Sequence, residues 1–477
     1  MKVIKNFLWN AGYQVFVLIV PLITVPYVNR VLGPTGVGIN AFTNSVVQYF
    51  ILLGSLGINL YGNRETAYRR DQPERLAKLF WEIALIRFIC IGISVLIYLV
   101  FVFSVDRYRV FYLAQGLMLV AAAFDISWFF QGLENFRVTV LRNIFVRIAS
   151  LIMVFTFVRT ANDTGLYILI IAGSQLAGNL TFWPSIRRYV HGFPKFAELK
   201  LLRHVRPSLL LLVPQLATQI YLQLNKTMLG MLDGVTASGF YDNSDKIIKM
   251  LLAVVTATGT VLLPHVAHSF ASGDKAAVHR SLETSMHVVL VMAFPLALGI
   301  ASVSDTFTYY FFSAKFMPVA QLMAVESIVV IPISIASAVG VQYLLPTNQM
   351  RPYTTSVVLG SVANIVLNVP LILLWGTMGA VIATILSESI VTGYQVFYVR
   401  RQIKLDRLFS ESWKYLLASV IMYLCIRALE HVLGRSLVYL VLEVLIGMLV
   451  YVVGLLLLRP RVILGYVQDF LRKRRAA

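Results

Sequence analysis

Gln215, Gln219, Gln223 and Lys226 are spaced 4, 4 and 3 residues apart, which puts three carboxamides and an ammonium on one face of a helix. Asn40, Asn44 and Gln48 repeat the device, as do Asp242, Asp245, Lys246 and Lys249, which continue through Thr256 and Thr260. Thr384, Glu388, Thr392 and Gln395 form a further stripe, and Asn364 with Asn368 and Gln175 with Asn179 add shorter ones. Such groups do hydrogen-bonding and charge-balancing chemistry. One use is glue between helices, about 0.6 to 2 kcal/mol per contact in a membrane. The other is a wet cavity, favoured where three amides and a cation share a face, because a dry interface would have to satisfy every amide group.

The charges among these apolar residues narrow the choice. A charge at the centre of a bilayer costs about 2.5 to 3.5 kcal/mol even on the lenient insertion scale, so each needs a partner or a cavity. Arg87 can pair with Asp125, and Lys226 with Asp242 or Asp245. Arg147 has no acid near it in sequence and stands out as a ligand contact. Covalent chemistry is not indicated: no G-x-x-x-x-G-K-[ST], H-E-x-x-H or G-x-S-x-G run occurs. His265 and His268 lack a third ligand, and neither metal nor cofactor is expected.

The elements that carry these residues are membrane helices. Of 477 residues, 58% are hydrophobic and 13% charged, against about 25% charged in a soluble domain. Fourteen long apolar runs are predicted at 7–30, 37–60, 79–104, 108–131, 138–159, 164–186, 207–231, 236–263, 282–303, 317–343, 353–375, 378–399, 412–430 and 436–458. Continuous runs exclude a β-barrel. The first span, with Asn10 and Gln14 inside it and no small-residue cleavage site, is expected to stay in the mature protein. Of 41 Lys and Arg residues, 29 fall at the termini, in loops after even-numbered spans or at the span ends beside them, and 7 in the opposite loops or the span ends beside those. Both termini are therefore expected in the cytoplasm. The +19 net charge reflects this asymmetry, together with headgroup attraction at Arg472–Arg475, and calls for no nucleic acid. Cys90 and Cys425 read as small core residues without a disulfide.

Short matches recur about 200 residues apart. Asn29-Arg30-Val31-Leu32-Gly33 is echoed by Asn225-Lys226-Thr227-Met228-Leu229-Gly230, Asp71 by Asp274, and Glu134-Asn135-Phe136-Arg137 by Asn348-Gln349-Met350-Arg351. Their common order predicts an all-α integral membrane fold of fourteen transmembrane helices, with two pseudo-symmetric six-helix lobes, 1–203 and 204–403, and two C-terminal helices in 404–477. Pro21, Pro26, Pro214, Pro295 and Pro332 interrupt spans and are expected to kink them.

The stretch Trp128-Phe-Phe-Gln-Gly-Leu-Glu134 followed by Arg142-Asn143, then Leu224-Asn-Lys-Thr-Met-Leu-Gly230 running into Gly239-Phe-Tyr-Asp-Asn-Ser-Asp-Lys-Ile-Ile248, resembles bacterial polysaccharide repeat-unit flippases of the Wzx type. Gln342-Tyr-Leu-Leu-Pro-Thr347, Asn364 to Asn368, and Gly379-Ala380 with Glu388 extend the resemblance over spans 1 to 12. The family is the polysaccharide transporter family of the multidrug/oligosaccharidyl-lipid/polysaccharide exporter superfamily. Two departures are Asn225, where relatives often have Asp, and Pro264-His265, where many have Pro-Arg.

The resemblance implies lobes that rock around a central cavity by alternating access. The implied cargo is an undecaprenyl-pyrophosphate-linked oligosaccharide moved from the inner to the outer leaflet of the bacterial cytoplasmic membrane, for capsule, exopolysaccharide or O-antigen assembly. Arg30, Arg87, Arg147, Lys226 and Lys246 then become anion contacts, and Asn44, Gln48, Gln215, Gln219 and Gln223 sugar contacts. The last two helices would offer an apolar groove to the polyprenyl tail. Membrane lipids, a polysaccharide polymerase and chain-length machinery are the implied partners. A cation-coupled multidrug exporter, with Asp125, Glu326 or Glu388 as coupling acid, and a lipid II flippase are the competing readings.

Overall fold

The computed structural model describes residues 2–190, 192, 194, 198–434 and 436–460, and no strand occurs among them. The basic tail at 472–475 and the side chains of His265 and Thr260 lie outside the described residues.

The first compact unit comprises residues 1–239. Its helices are α1 (Lys2–Ser55), α2 (Ile58–Arg69), α3 (Pro73–Ser104), α4 (Arg109–Ala123), α5 (Ser127–Gly132), α6 (Phe136–Phe157), α7 (Thr164–Leu180), α8 (Phe182–Ile186) and α9 (Leu202–Leu232). The second unit, 240–477, takes most of α10 (Val235–Ala271). It continues with α11 (Lys275–Phe311), α12 (Met317–Glu326), α13 (Val330–Ala336), α14 (Met350–Val399), α15 (Leu405–Leu408), α16 (Ser412–Leu433) and α17 (Leu437–Leu458). Among the described residues, ten helical stretches are long and apolar enough to cross a membrane, and two of them, Ile19–Arg69 and Met350–Val399, hold two predicted spans each. α9 and α10 complete the fourteen. They are 31 and 37 residues long, enough to carry the remaining two predicted spans.

Spans 1 and 2 form one element, as do spans 11 and 12. In α1 the break falls at Gly33 (φ 68°, ψ 178°), while the helix continues through Pro21 and Pro26. In α14 it falls at Gly376 (φ 55°, ψ −132°). Both backbone conformations are open to glycine and strained for other residues. Around Gly376 the chain doubles back tightly enough that a Cβ on Gly379 would lie 1.9 Å from the Leu371 carbonyl oxygen. Span 10 is irregular, as Pro332 predicts: α13 follows a 3-10 turn and runs into a π-helical stretch, Ser337–Leu344.

Trp128-Phe129-Phe130 is a packing motif. All three side chains are fully buried on α5, with Phe80, Phe182 and Ile83 around them. Trp128 presses on Gly62 of α2 at a distance that leaves no room for a Cβ. Arg87 locks this region. It donates to the Ala122 carbonyl at 2.6 Å and Asn59 Oδ1 at 2.6 Å, and meets Asp125 at 3.5 Å, so α2, α3 and the end of α4 share one guanidinium.

Candidate functional site

Two of the polar stripes converge in the first unit, where α9 lies against the second leg of α1. The approach is close because Gly230 has no side chain: a Cβ there would fall 2.0 Å from the Phe42 ring. Ser45 Oγ and Thr227 Oγ1 meet at 2.8 Å, and Thr227 Oγ1 also lies 3.2 Å from both Tyr49 Oη and the Gln223 carbonyl. Asn44 and Gln48 flank this knot one residue round the same leg, with Gln48 Nε2 donating to Asn44 Oδ1 at 3.3 Å. On α9, Gln223 is half-buried, and its Oε1 is enclosed with no hydrogen-bond partner among the described residues. An enclosed carbonyl of this kind forfeits about 1 to 3 kcal/mol until a donor reaches it. Lys226 is half-buried beside it and already engaged. Gln215 is half-buried and Gln219 exposed, further towards the start of α9. The remaining amide of the α1 stripe, Asn40, is drawn off to α4, where it accepts from Gln115 Nε2 at 3.2 Å.

The predicted cations are dispersed. Arg147 sits half-buried in the middle of α6, and its guanidinium makes no hydrogen bond or ion pair among the described residues. Arg30 is exposed at the end of the first leg of α1 and has a partner. Arg87 spends its donors on Asn59, Ala122 and Asp125. In the second unit Lys246 is held by Asp242 one turn away, and Lys249 by Asp245 at 2.7 Å. Lys246 keeps 47% of its side chain exposed. Glu326 is buried and accepts from the Ser244 hydroxyl, while Glu388 is half-buried and engaged. No group of three or more His, Cys, Asp or Glu side chains is placed to hold a metal among the described residues.

Glu82 is a carboxylate inside a predicted span that the sequence reading passed over. It is fully buried and joins three elements. Its Oε1 accepts from the Lys200 backbone at 2.8 Å, and its Oε2 meets His204 Nε2 at 2.9 Å and Arg203. His204 Nδ1 lies 2.6 Å from Tyr61 Oη. This knot fastens the start of α9 to α2 and α3. Burial holds the His204 imidazole below its ordinary value, with Glu82 pulling the other way.

A family model described as polysaccharide biosynthesis protein matches residues 3–270. Among curated proteins, "Putative O-antigen transporter" of Escherichia coli (strain K12) is 22% identical over 404 residues, 83% of this chain and 96% of that protein. The lipid II flippase MurJ of Bacillus subtilis (strain 168) is 28% identical over 199 residues, 41% of this chain and 36% of that one. Among solved structures, lipid II flippase MurJ in an inward closed conformation has a TM-score of 0.71 at 15% identity, covering 94% of this chain and 98% of that one. An inward-facing MATE-family multidrug resistance transporter has a TM-score of 0.60 at 11% identity, covering 83% and 98%.

Proposed function

The chain belongs to the polysaccharide biosynthesis protein family, and from that membership we propose that it moves polyprenyl-pyrophosphate-linked oligosaccharide repeat units across the bacterial inner membrane by alternating access. It is a multi-pass membrane transporter, a flippase for lipid-linked cargo, and not an enzyme. The sugar-bearing cargo is the finer reading.

The observation that carries it is the convergence of the two amide stripes at the Ser45–Thr227 knot, with Gln223 Oε1 enclosed and unmatched among the described residues. A sugar hydroxyl is the donor such a carbonyl lacks, and Asn44 and Gln48 offer further carboxamides alongside. Arg147 and Lys226, with Arg30 and Lys246, are proposed to balance the pyrophosphate. Arg87 is the weaker anion contact, because its donors are spent within the helix bundle. An apolar cavity of about 560 Å³ among α10, α11, α16 and α17, lined by Leu251, Pro295, Met422, Gly447 and Tyr451, is suited to the polyprenyl tail. The lobes are taken as 1–203 and 204–403 on the sequence repeats, with both termini cytoplasmic on the charge asymmetry.

Lipid II is the second reading, favoured by the 28% identity to a lipid II flippase over 199 residues. Proteoliposomes loaded with a fluorescent polyprenyl-pyrophosphate oligosaccharide, with lipid II and a cationic dye as competing cargoes, separate the cases. Leaflet exchange of the oligosaccharide lipid, lost on neutralising Arg147 and Lys226, is expected. Dye efflux under an ion gradient without lipid movement would overturn the reading.

A further inference from the structure

Glu443 is fully buried on α17, and neither of its carboxylate oxygens has a hydrogen-bond partner among the described residues. It shares a face of α17 with Gly447 and Tyr451 at four-residue spacing, and these three are the buried residues of that helix. The face is pressed on its neighbours. A Cβ on Gly447 would lie 2.6 Å from Ile426 of α16, and Tyr451 donates to the Val291 carbonyl of α11 at 2.6 Å. Glu443 therefore points into the joint of α11, α16 and α17, where Glu430 and Arg427 are the charged groups that act on it.

Those groups are already committed. Arg427 Nη1 meets Glu430 Oε2 at 2.7 Å and Asp305 Oδ2 at 3.2 Å, and Thr306 Oγ1 donates to Glu430 Oε1 at 3.3 Å. One guanidinium thus faces two carboxylates before Glu443 is counted. An ionised Glu443 would add a second uncompensated negative charge with no donor among the described residues to solvate it, an arrangement that a low-dielectric setting strongly disfavours. A neutral carboxylic acid there costs far less.

We propose that Glu443 is a proton-binding site, held as a carboxylic acid when the α11–α16–α17 joint is closed and exchanging its proton with water when the joint loosens. Loss of the proton places mutually repelling carboxylates on facing sides of α16 and α17 and loosens the joint; uptake restores it. No metal, nucleophile or further reactant is involved: as the joint loosens, the Glu443 hydroxyl gives its proton to water, and hydronium returns it as the joint closes. The site is independent of which cargo the chain carries.

Infrared spectroscopy of the purified full-length protein in nanodiscs tests this without any transport assay. The wild type is expected to show a protonated-carboxyl carbonyl band that Glu443→Gln loses and that Glu443→Asp, which keeps the acid, shifts. The Asp variant keeps the test decisive if the Gln variant does not fold. A band region unchanged in the folded variants would mean that Glu443 is ionised, and the proposal would fail. In proteoliposomes Glu443→Gln is expected to flatten the dependence of transport on pH; an unchanged pH profile would overturn the exchange of the proton during turnover. Because the infrared result stands whether or not sugar lipid is moved, failure here is distinguishable from failure of the flippase reading.

Discussion

Ser45 and Thr227, 182 residues apart in the chain, bring their hydroxyls to 2.8 Å where α1 and α9 cross. Neither residue carries charge or an amide. Together they set the distance between the two helices whose amides form the candidate site. Thr227→Val keeps the shape and removes the hydroxyl that Ser45, Tyr49 and the Gln223 carbonyl share. It is expected to cost about 1 kcal/mol, seen as a fall of about one degree in the melting temperature of the detergent-solubilised protein. A variant as stable as wild type would show the knot to be incidental.

Gln223→Leu removes the enclosed carbonyl, unmatched among the described residues, without opening a cavity. Stability is expected to hold or rise, since a buried carbonyl with no partner among the described residues is lost, while transport of the oligosaccharide lipid falls about fivefold, one charge-free hydrogen bond being worth about 1 kcal/mol. Thermal melts and leaflet-exchange rates on one preparation read both. A loss of stability in step with transport would place Gln223 in the packing and not in the cavity.

Arg147→Gln is expected to slow transport at least tenfold, with Arg147→Lys recovering part of it, because a guanidinium offers a paired geometry to phosphate that an ammonium does not. The same change at Arg87 is expected chiefly to destabilise, since Asp125, Asn59 and the Ala122 carbonyl would lose their donor. Comparing exchange rates with melting temperatures for the two variants separates ligand contact from scaffold.

The Glu82–His204–Tyr61 knot gives stability a pH dependence of definite sign. The imidazole is held below its ordinary value in the folded chain, so the unfolded chain takes up the proton first as pH falls through about 6.5. The contribution is complete above that value and is lost on acidification. Melting temperature is expected to drop between pH 7 and pH 5, and His204→Asn to remove that part of the drop. An identical pH profile in the variant would assign the acid sensitivity elsewhere.

Gly376→Ala puts a side chain on a backbone at φ 55°, ψ −132°, a conformation that costs a non-glycine residue about 1 to 3 kcal/mol. A lower melting temperature and a reduced yield of folded protein are expected. Retention of wild-type stability would mean that the two legs of α14 can be joined in another way.

Sequence alone determined the membrane class, the fourteen spans and the family resemblance. Hydrophobicity accumulates locally along a span, and an amide stripe is a local spacing that needs no neighbour to be read. Glycine breaks were less legible. Gly33 and Gly376 fuse pairs of spans into α1 and α14, because a single residue at positive φ can break a helix where the pattern suggests a loop. The motifs were legible as family marks but not as parts. Only the tertiary structure turns Trp128-Phe129-Phe130 into a buried wedge and Thr227 and Gly230 into the contact with α1.

The charges depended most on the third dimension. Arg87 and Asp125 do pair, as their spans allowed, but Asn59 and the Ala122 carbonyl share the guanidinium and were not visible as partners. Glu82 meets His204, and the Glu443–Gly447–Tyr451 face packs on α16 and α11, across separations that no spacing rule spans. A helix face is fixed by 3.6 residues per turn, whereas what that face meets is fixed by packing. For a buried charge the partner decides the energy, and with it the function.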